Sequence, residues 1–236
     1  PKILTDRIKK TIKTADYLGA LSSSQKQSYL DDGLLSCEKT FLNLMGVDTS
    51  ICYPKNLRKD KFIIITVGNN FVRKGYKYLI EAFNSLKLTN SELWIVGDND
   101  IKLANRIIKV EKNNIFKGFY NEFDLPNLYN RASVFCLPSF EEGLPAVIPQ
   151  AMACGLPIIS THFANDIVKN GEEGFIVNAG DTKQLSKKIQ YFYENPKKTI
   201  EMGIKGRKTA ENLLSYDKVA ERILDFCKSE NNLKKI

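Results

Sequence analysis

The sequence is poor in several residues that carry common chemistries. Its 236 residues include one histidine, His162, so a histidine-rich metal site is nearly excluded. The five cysteines, Cys37, Cys52, Cys136, Cys154 and Cys227, contain no C-x-x-C pair. An odd count in a chain of ordinary size argues against a disulfide framework and for a reducing cytoplasm. The longest purely apolar runs, such as "FIII" and "VFCL", fall far short of the roughly 20 residues needed to cross a bilayer. The opening "PKILTDRIKK" has neither an initiator Met nor an apolar signal core, which reads as a fragment of a longer chain.

What remains is globular: 43% hydrophobic and 10% aromatic residues can build a substantial core. The net charge of +8 suits polyanions, nucleotide phosphates or an anionic membrane surface. The lysines are spread rather than gathered into one tract, and no recognised nucleic-acid motif accompanies them, so nucleic acid is not expected as a partner.

From residue 60 onward, short β-branched runs alternate with helical periodicity: "FIIITV" (62–67), "LWIV" (93–96), "NIFKG" (114–118), "SVFCL" (133–137), "PIIS" (157–160) and "FIV" (175–177). This predicts an α/β fold, a doubly wound Rossmann-like parallel sheet with helices on both faces. Tyr76, Leu79, Ile80, Phe83 and Leu86 form one apolar helix face. Asp181 and Gln184 read as an N-cap and its capping-box partner, opening a helix through Leu185, Ile189 and Phe192. Beyond Asn195 the pattern is helical, with starts near Pro196 and Tyr216 and an apolar face at Val219, Ile223 and Leu224.

Residues 1–56 differ. A basic amphipathic helix (3–14), a strand-like "YLGALSS", a helix around 26–30 and a strand-like "KTFLNLM" are too little for an independent core. They read as a remnant of a second α/β domain with a linker, "YPKNLRKD" (53–60), whose Leu18, Leu21, Leu42 and Leu44 are left partly uncovered and invite self-association. The main domain then spans 57–215, and 216–236 is a terminal helix and tail.

In doubly wound sheets, ligands bind beyond the carboxyl ends of the strands, where loops meet helix N-termini. Two loops fit. In "TVGNNFVRKGYKYLIEAF" a strand ends at Gly68 and a helix begins near Gly75, with Arg73 and Lys74 between them. These cations could hold a diphosphate, although "RKG" alone is a weak signal that a solvated loop explains more often. In "SVFCLPSFEEGLPAVIPQAMACGLP" a strand delivers Glu141 and Glu142, Gly143 lets the backbone approach a ligand, and Gln150 follows in a small-residue segment. Asp98-x-Asp100 resembles a metal-binding pair but sits in a polar loop, and His162 reads as a hydrogen-bonded structural histidine.

Together these stretches resemble the C-terminal, donor-binding half of the family 4 retaining glycosyltransferases, which have the GT-B fold. The resemblance is densest in "PSFEEGLPAVIPQAMACGLPIIS". "GNNFVRKG", "LWIVGDND", "FKGFYNEFDLPNLYNRASVFCLPS", "DIVKNGEEGFIVNAGD" and "SYDKVAERIL" follow in the family's order, while "ADYLGALSSSQKQSYLDDG" and "LMGVDTSICYP" look like the end of its N-terminal domain and the crossing between halves. The resemblance implies that Lys74 contacts the donor phosphates with Arg73 beside it, at the end of the strand marked by Gly68. Glu142 would face the donor sugar, the backbone from Gly143 through Leu144 and Pro145 to Ala146 would line sugar and phosphate, and Gln150 would meet the ribose diol. The base would lie near Lys117, Gly118, Phe119 and Tyr120.

Three departures stand out. Asn69 replaces a second phosphate-binding arginine, Gln150 replaces the second acid of the pair and so lacks its charge, and Pro149 requires the helix to begin no earlier than about Val147. The implied reaction is metal-independent transfer of a sugar from a nucleoside diphosphate with retention, Arg73 and Lys74 supplying the countercharge and Glu142 orienting the sugar. No second carboxylate suits the paired-acid scheme of glycoside hydrolysis. Expected partners are a nucleotide-sugar donor and an acceptor glycan or lipid-linked sugar, met in the cytoplasm or at the inner face of a membrane through peripheral association. The alternatives are a non-catalytic nucleotide-sugar-binding module, favoured by Asn69 and Gln150, and a sugar-nucleotide epimerase on the same fold. The chain as given is expected to bind donor without transferring sugar.

Overall fold

The computed structural model describes residues 2–55, 57, 60–99, 101–143, 145–164 and 166–233. Leu144 and Asp100, both named above, lie outside the described residues. The chain opens with α1 (Lys2–Thr14), β1 (Leu18–Ala20), α2 (Ser23–Asp31) and β2 (Thr40–Leu42). The two strands pair in parallel as a sheet of their own. Ser22 caps α2 by accepting from the Gln25 amide at 3.1 Å, while Gln25 Oε1 accepts from the Leu21 amide. This S-x-x-Q arrangement satisfies donors that a helix start leaves orphaned.

The larger unit follows with β3 (Phe62–Val67), α3 (Tyr76–Leu86), β4 (Ser91–Val96), α4 (Ile101–Ile107), β5 (Asn114–Gly118), α5 (Leu125–Arg131), β6 (Val134–Leu137), α6 (Val147–Ala153), β7 (Ile158–Thr161) and β8 (Gly174–Val177). The six strands form one parallel sheet in the order β5-β4-β3-β6-β7-β8. Each of the six predicted runs became a strand, within two residues at either end. Ile64, Ile65, Val134, Phe135 and Ile158 are fully buried, as expected for central strands covered on both faces. The order reverses between β3 and β6: the chain builds outward from β3 to β5, then returns to the other side of β3. The loops that follow β3 and β6 therefore flank the switch point.

Helices α7 (Thr182–Glu194), α8 (Pro196–Thr209) and α9 (Tyr216–Leu233) complete the chain, with a π-helical turn at Ala210–Leu214 before α9. Asp181 accepts from the Gln184 amide at 2.8 Å. Gln184, however, accepts from Asn178 rather than from the cap residue's own amide, because the Asp181 amide is already bonded to the Asn178 carbonyl. The Arg207 guanidinium donates to the carbonyls of Cys52 and Ala153 at 2.6 and 2.7 Å, tying the crossing between the two units to the end of α6.

Two expectations change. Ile223 and Leu224 do not form a buried face; they are 37% and 55% exposed. Contact from α9 back to the first unit comes through Tyr216 and Val219, which lie beside Gly46, and through Phe226, stacked on Phe41 at 4.2 Å and edge-on to Tyr17 at 5.3 Å. An aromatic one turn further on reaches the small sheet, where the aliphatic pair does not. His162 is exposed at the start of a 3₁₀ turn following β7, because the chain leaves the sheet there instead of staying within it. All five cysteines are free.

Candidate functional site

The site is built from the two loops at the switch point. After β3 the chain turns through Asn70 in the left-handed region (φ 72°), whose side-chain oxygen accepts from the Arg73 amide at 3.1 Å. Gly75, also left-handed (φ 69°), caps α3. After β6 the chain runs through Pro138, Ser139 and Phe140 to the two glutamates. The loops are stitched together: the Phe140 amide donates to the Arg73 carbonyl at 2.9 Å, and the Arg73 guanidinium donates to the Glu141 carbonyl at 2.8 Å.

At the centre, Lys74 Nζ and Glu142 Oε1 are 2.6 Å apart, each side chain only 8% exposed. Arg73 Nη1 approaches Glu142 Oε2 at 3.3 Å, and the buried Ser139 hydroxyl donates to Oε1 at 3.0 Å. One carboxylate thus faces two cations in a shielded setting, where charge interactions are stronger than in water. Gly68 makes this possible, since a Cβ there would lie 2.8 Å from Lys74 Cε. Its carbonyl is held by the Tyr76 hydroxyl at 3.1 Å and by Asn99 Nδ2 at 3.0 Å. Burial pushes the Tyr76 phenol well above its ordinary range, so it remains a donor.

Arg73, Glu141, Glu142 and Gly143 form one wall of a cleft of about 470 Å³. Ser22, Ser24, Gln25 and Ser28, from α2 and its cap, form the other. The Ser23 amide also donates to Asp166 Oδ2 at 2.5 Å, anchoring α2 to the loop after β7. A larger cavity, about 840 Å³, opens at the opposite edge of the sheet, beside Phe62, Ser133 and Pro157 where strands begin. The smaller cleft is the better candidate, because it lies at the carboxyl ends of the strands and holds the ion-pair cluster.

The structure therefore brings together Arg73, Lys74, Glu142, Gly143 and Gly68. It separates others. Asn69 is a tie between loops: its Oδ1 accepts from the Asp98 amide at 2.8 Å, so that oxygen is engaged within the protein. Lys117 places its ammonium over the Trp94 ring at 4.0 Å, and burial, then the neighbouring Arg131, lowers its pKa. It is held on the sheet, where the bulge between β4 and β5 turns it, and does not project with its neighbours. Tyr120 packs against the core. Gly118 (φ 69°) has open space where a side chain would stand, and Phe119 is 75% exposed. These two are the members of that quartet free to meet a ligand.

Helix α6 begins at Val147, as Pro149 requires, with half-buried Pro145 and Ala146 leading into it. Gln150 Oε1 accepts from the Tyr129 hydroxyl at 3.4 Å, a long contact with a phenol that burial keeps protonated. On the ribose contact that the resemblance implies for Gln150, Gln150→Glu is expected to preserve the Tyr129 bond and to hold or raise nucleotide affinity, since a carboxylate accepts at both oxygens while an amide accepts at one end. Calorimetry with a nucleoside diphosphate measures it. A tenfold or greater loss, about 1.4 kcal/mol, would mean the pocket is built around the amide.

Sequence reasoning missed Ser139, Asn70 and the serines of α2. Ser139 stands inside the densest stretch and could have been found there. The α2 serines carried a capping signal, but nothing local indicated that this helix would face the loop after β6.

Comparison with known proteins bears on the family and the fold. Residues 52–209 match the family model for glycosyl transferases group 1. An uncharacterized glycosyltransferase of Haemophilus influenzae is 30% identical over 223 residues, covering 91% of this chain and 60% of that protein. The capsular polysaccharide biosynthesis glycosyltransferase CapM of Staphylococcus aureus is 31% identical over 225 residues, covering 86% of this chain and 59% of CapM. The chain thus spans about 60% of the length of these relatives. Among solved structures, sucrose-phosphate synthase from Thermosynechococcus elongatus superposes with a TM-score of 0.82 at 24% identity, covering 95% of this chain and 61% of that one. Anabaena Alr3699/HepE in complex with UDP gives 0.83 at 21%, covering 91% and 64%. The fold is that of these glycosyltransferases, and with two thirds of its length matched by the family model, the chain belongs to glycosyl transferases group 1.

Proposed function

We propose that this chain is the donor-binding half of a family 4 retaining glycosyltransferase, which transfers a sugar from a nucleoside diphosphate to an acceptor glycan or lipid-linked sugar. The observation that carries the reading is the Lys74–Glu142–Arg73 cluster at the switch point. As the glycosidic bond breaks, negative charge grows on the departing diphosphate. Lys74 and Arg73, already positioned by the loop, stabilise it without reorganising. Glu142, fixed at both oxygens, orients the sugar through its hydroxyls. UDP bound to the similarly folded Alr3699/HepE supports a uridine or related nucleotide as the donor's handle.

Transfer by this route requires no divalent metal, because the two cations and the start of α3 provide the countercharge. Calorimetry with UDP in the presence of a chelator is expected to give the same affinity as without it. Binding that appears only with magnesium or manganese would overturn the assignment and return attention to Asp98. One observation favours a non-catalytic nucleotide-sugar-binding module: Asn69 is engaged with Asp98 and adds no cation to the phosphate site. Turnover by the full-length protein, with donor and candidate acceptors, separates the two. Association with a lipid-linked acceptor at the inner face of a membrane is proposed as peripheral; among the described residues no helix is long and apolar enough to cross a membrane.

A further inference from the structure

Two cysteines far apart in sequence meet where the first unit crosses to the second. Cys52 lies in the crossing segment, two residues before Pro54. Cys154 caps the end of α6, its amide bonded to the Gln150 carbonyl at 3.1 Å. Both are 4% exposed, and each thiol is the largest influence on the other's ionisation, which sets them side by side. The backbones are in register as well: Arg207 donates to the carbonyls of Cys52 and Ala153, and a Cβ added at Gly155 would sit 3.3 Å from Pro54 Cγ. Neither thiol takes part in the donor site.

We propose that Cys52 and Cys154 are a modification site, joined as a reversible disulfide when a hydroperoxide oxidises the protein. The pair is asymmetric. The Cys154 thiol beside it lowers the pKa of Cys52 against burial and the Asp48 and Glu122 charges, with the Arg207 charge adding to the lowering, while the same contact and burial raise that of Cys154. Cys52 is accordingly the thiolate that attacks. Its sulfur takes the peroxide's outer oxygen, the O–O bond breaks, and water leaves once the departing oxygen is protonated, giving a sulfenic acid at Cys52. Cys154 then loses its proton and attacks the Cys52 sulfur; the S–O bond breaks and a second water leaves. Two thiols and one hydrogen peroxide give one disulfide and two waters, the two electrons passing from sulfur to peroxide.

The oxidant has a route. The 840 Å³ cavity at the lower edge of the sheet has Pro54, Cys154, Gly155 and Arg207 in its wall, so hydrogen peroxide reaches the pair from the Cys154 side, with Cys52 directly behind that thiol. The other cysteines serve as internal controls. Cys37 and Cys227 are exposed, and Cys136 is buried with its thiol pushed up by burial alone. The link would close a loop of about a hundred residues and so constrain the unfolded chain strongly, fixing the crossing segment to the helix that bears Gln150.

The test is hydrogen peroxide treatment of the chain, then alkylation, digestion and mass mapping. The expected result is a Cys52–Cys154 peptide lighter by two hydrogens than the summed thiol peptides, restored to two thiols by dithiothreitol, with Cys136 fully alkylated. The oxidised chain should also melt at a higher temperature, a rise that Cys52→Ser removes. Oxidation of Cys37 and Cys227 while Cys52 and Cys154 both stay alkylatable would overturn the proposal. So would over-oxidation of either thiol without the cross-link. Both readings come from the unsubstituted chain, so they hold even if Cys52→Ser folds poorly.

Discussion

Lys74→Ala is expected to weaken nucleoside-diphosphate binding by roughly 1.5–3 kcal/mol, the range for a hydrogen bond to a charged group, and to destabilise the fold as well. The second effect comes from Glu142. Its side chain is 8% exposed and would lose the partner at 2.6 Å, keeping only Arg73 at 3.3 Å and the Ser139 hydroxyl. Removing one member of a buried pair costs about 3–5 kcal/mol; the remaining contacts place this case near the lower end. Glu142→Gln combined with Lys74→Ala should recover most of the stability, because no buried charge is then left unpaired, yet recover none of the affinity. Glu142→Gln alone should leave diphosphate binding intact or stronger, since Lys74 no longer shares its charge with a carboxylate, while abolishing transfer in the full-length protein. Asp98→Ala should change neither quantity. Urea unfolding and calorimetry on these variants give the comparison. Equal losses of affinity from Lys74→Ala and Asp98→Ala would show that the loop has been assigned the wrong role.

How far the sequence could carry this picture depended on the range of the interactions involved. The six strands were legible because a parallel strand buried on both faces must be an apolar run, and "FIIITV" or "VFCL" can be little else. The start of α6 followed from Pro149 by local geometry. Arg73, Lys74 and Glu142 were legible as residues at strand ends, and the resemblance joined them. Their meeting as one cluster is a long-range fact, set by β3 and β6 being neighbours across the switch point. Contacts within these loops are long-range in the same way: Asn69 bonds to the adjacent loop and Lys117 folds onto Trp94, and neither contact has a signature in the local sequence. Leu224 failed because the α9 periodicity allows more than one face, and the aromatic partners Tyr17 and Phe41 decided which one was covered.

Two glycines in the site loops should respond in opposite ways, and the contrast separates structural need from ligand contact. Gly75 has φ 69°, and a Cβ there would lie 2.2 Å from the Pro138 carbonyl oxygen, a backbone atom that cannot rotate aside. Gly75→Ala adds the left-handed penalty of about 1–2 kcal/mol to a clash that forces the loops after β3 and β6 apart. A total loss of about 3 kcal/mol or more is expected, which is large for a single methyl. Lys74 and Glu142 should lose their registration with it, and nucleotide binding should fall in step. Gly143 is the reverse case. It lines the cleft, its backbone is not left-handed, and a Cβ there meets nothing within 4 Å. Gly143→Ala should therefore melt within about 0.5 kcal/mol of the parent, as surface substitutions usually do, yet bind a nucleotide sugar at least tenfold more weakly because the methyl occupies space the ligand needs. Thermal unfolding and calorimetry on the two variants decide it. Unchanged affinity in Gly143→Ala would remove that backbone from the donor site, and unchanged stability in Gly75→Ala would mean the two loops are not held together as described.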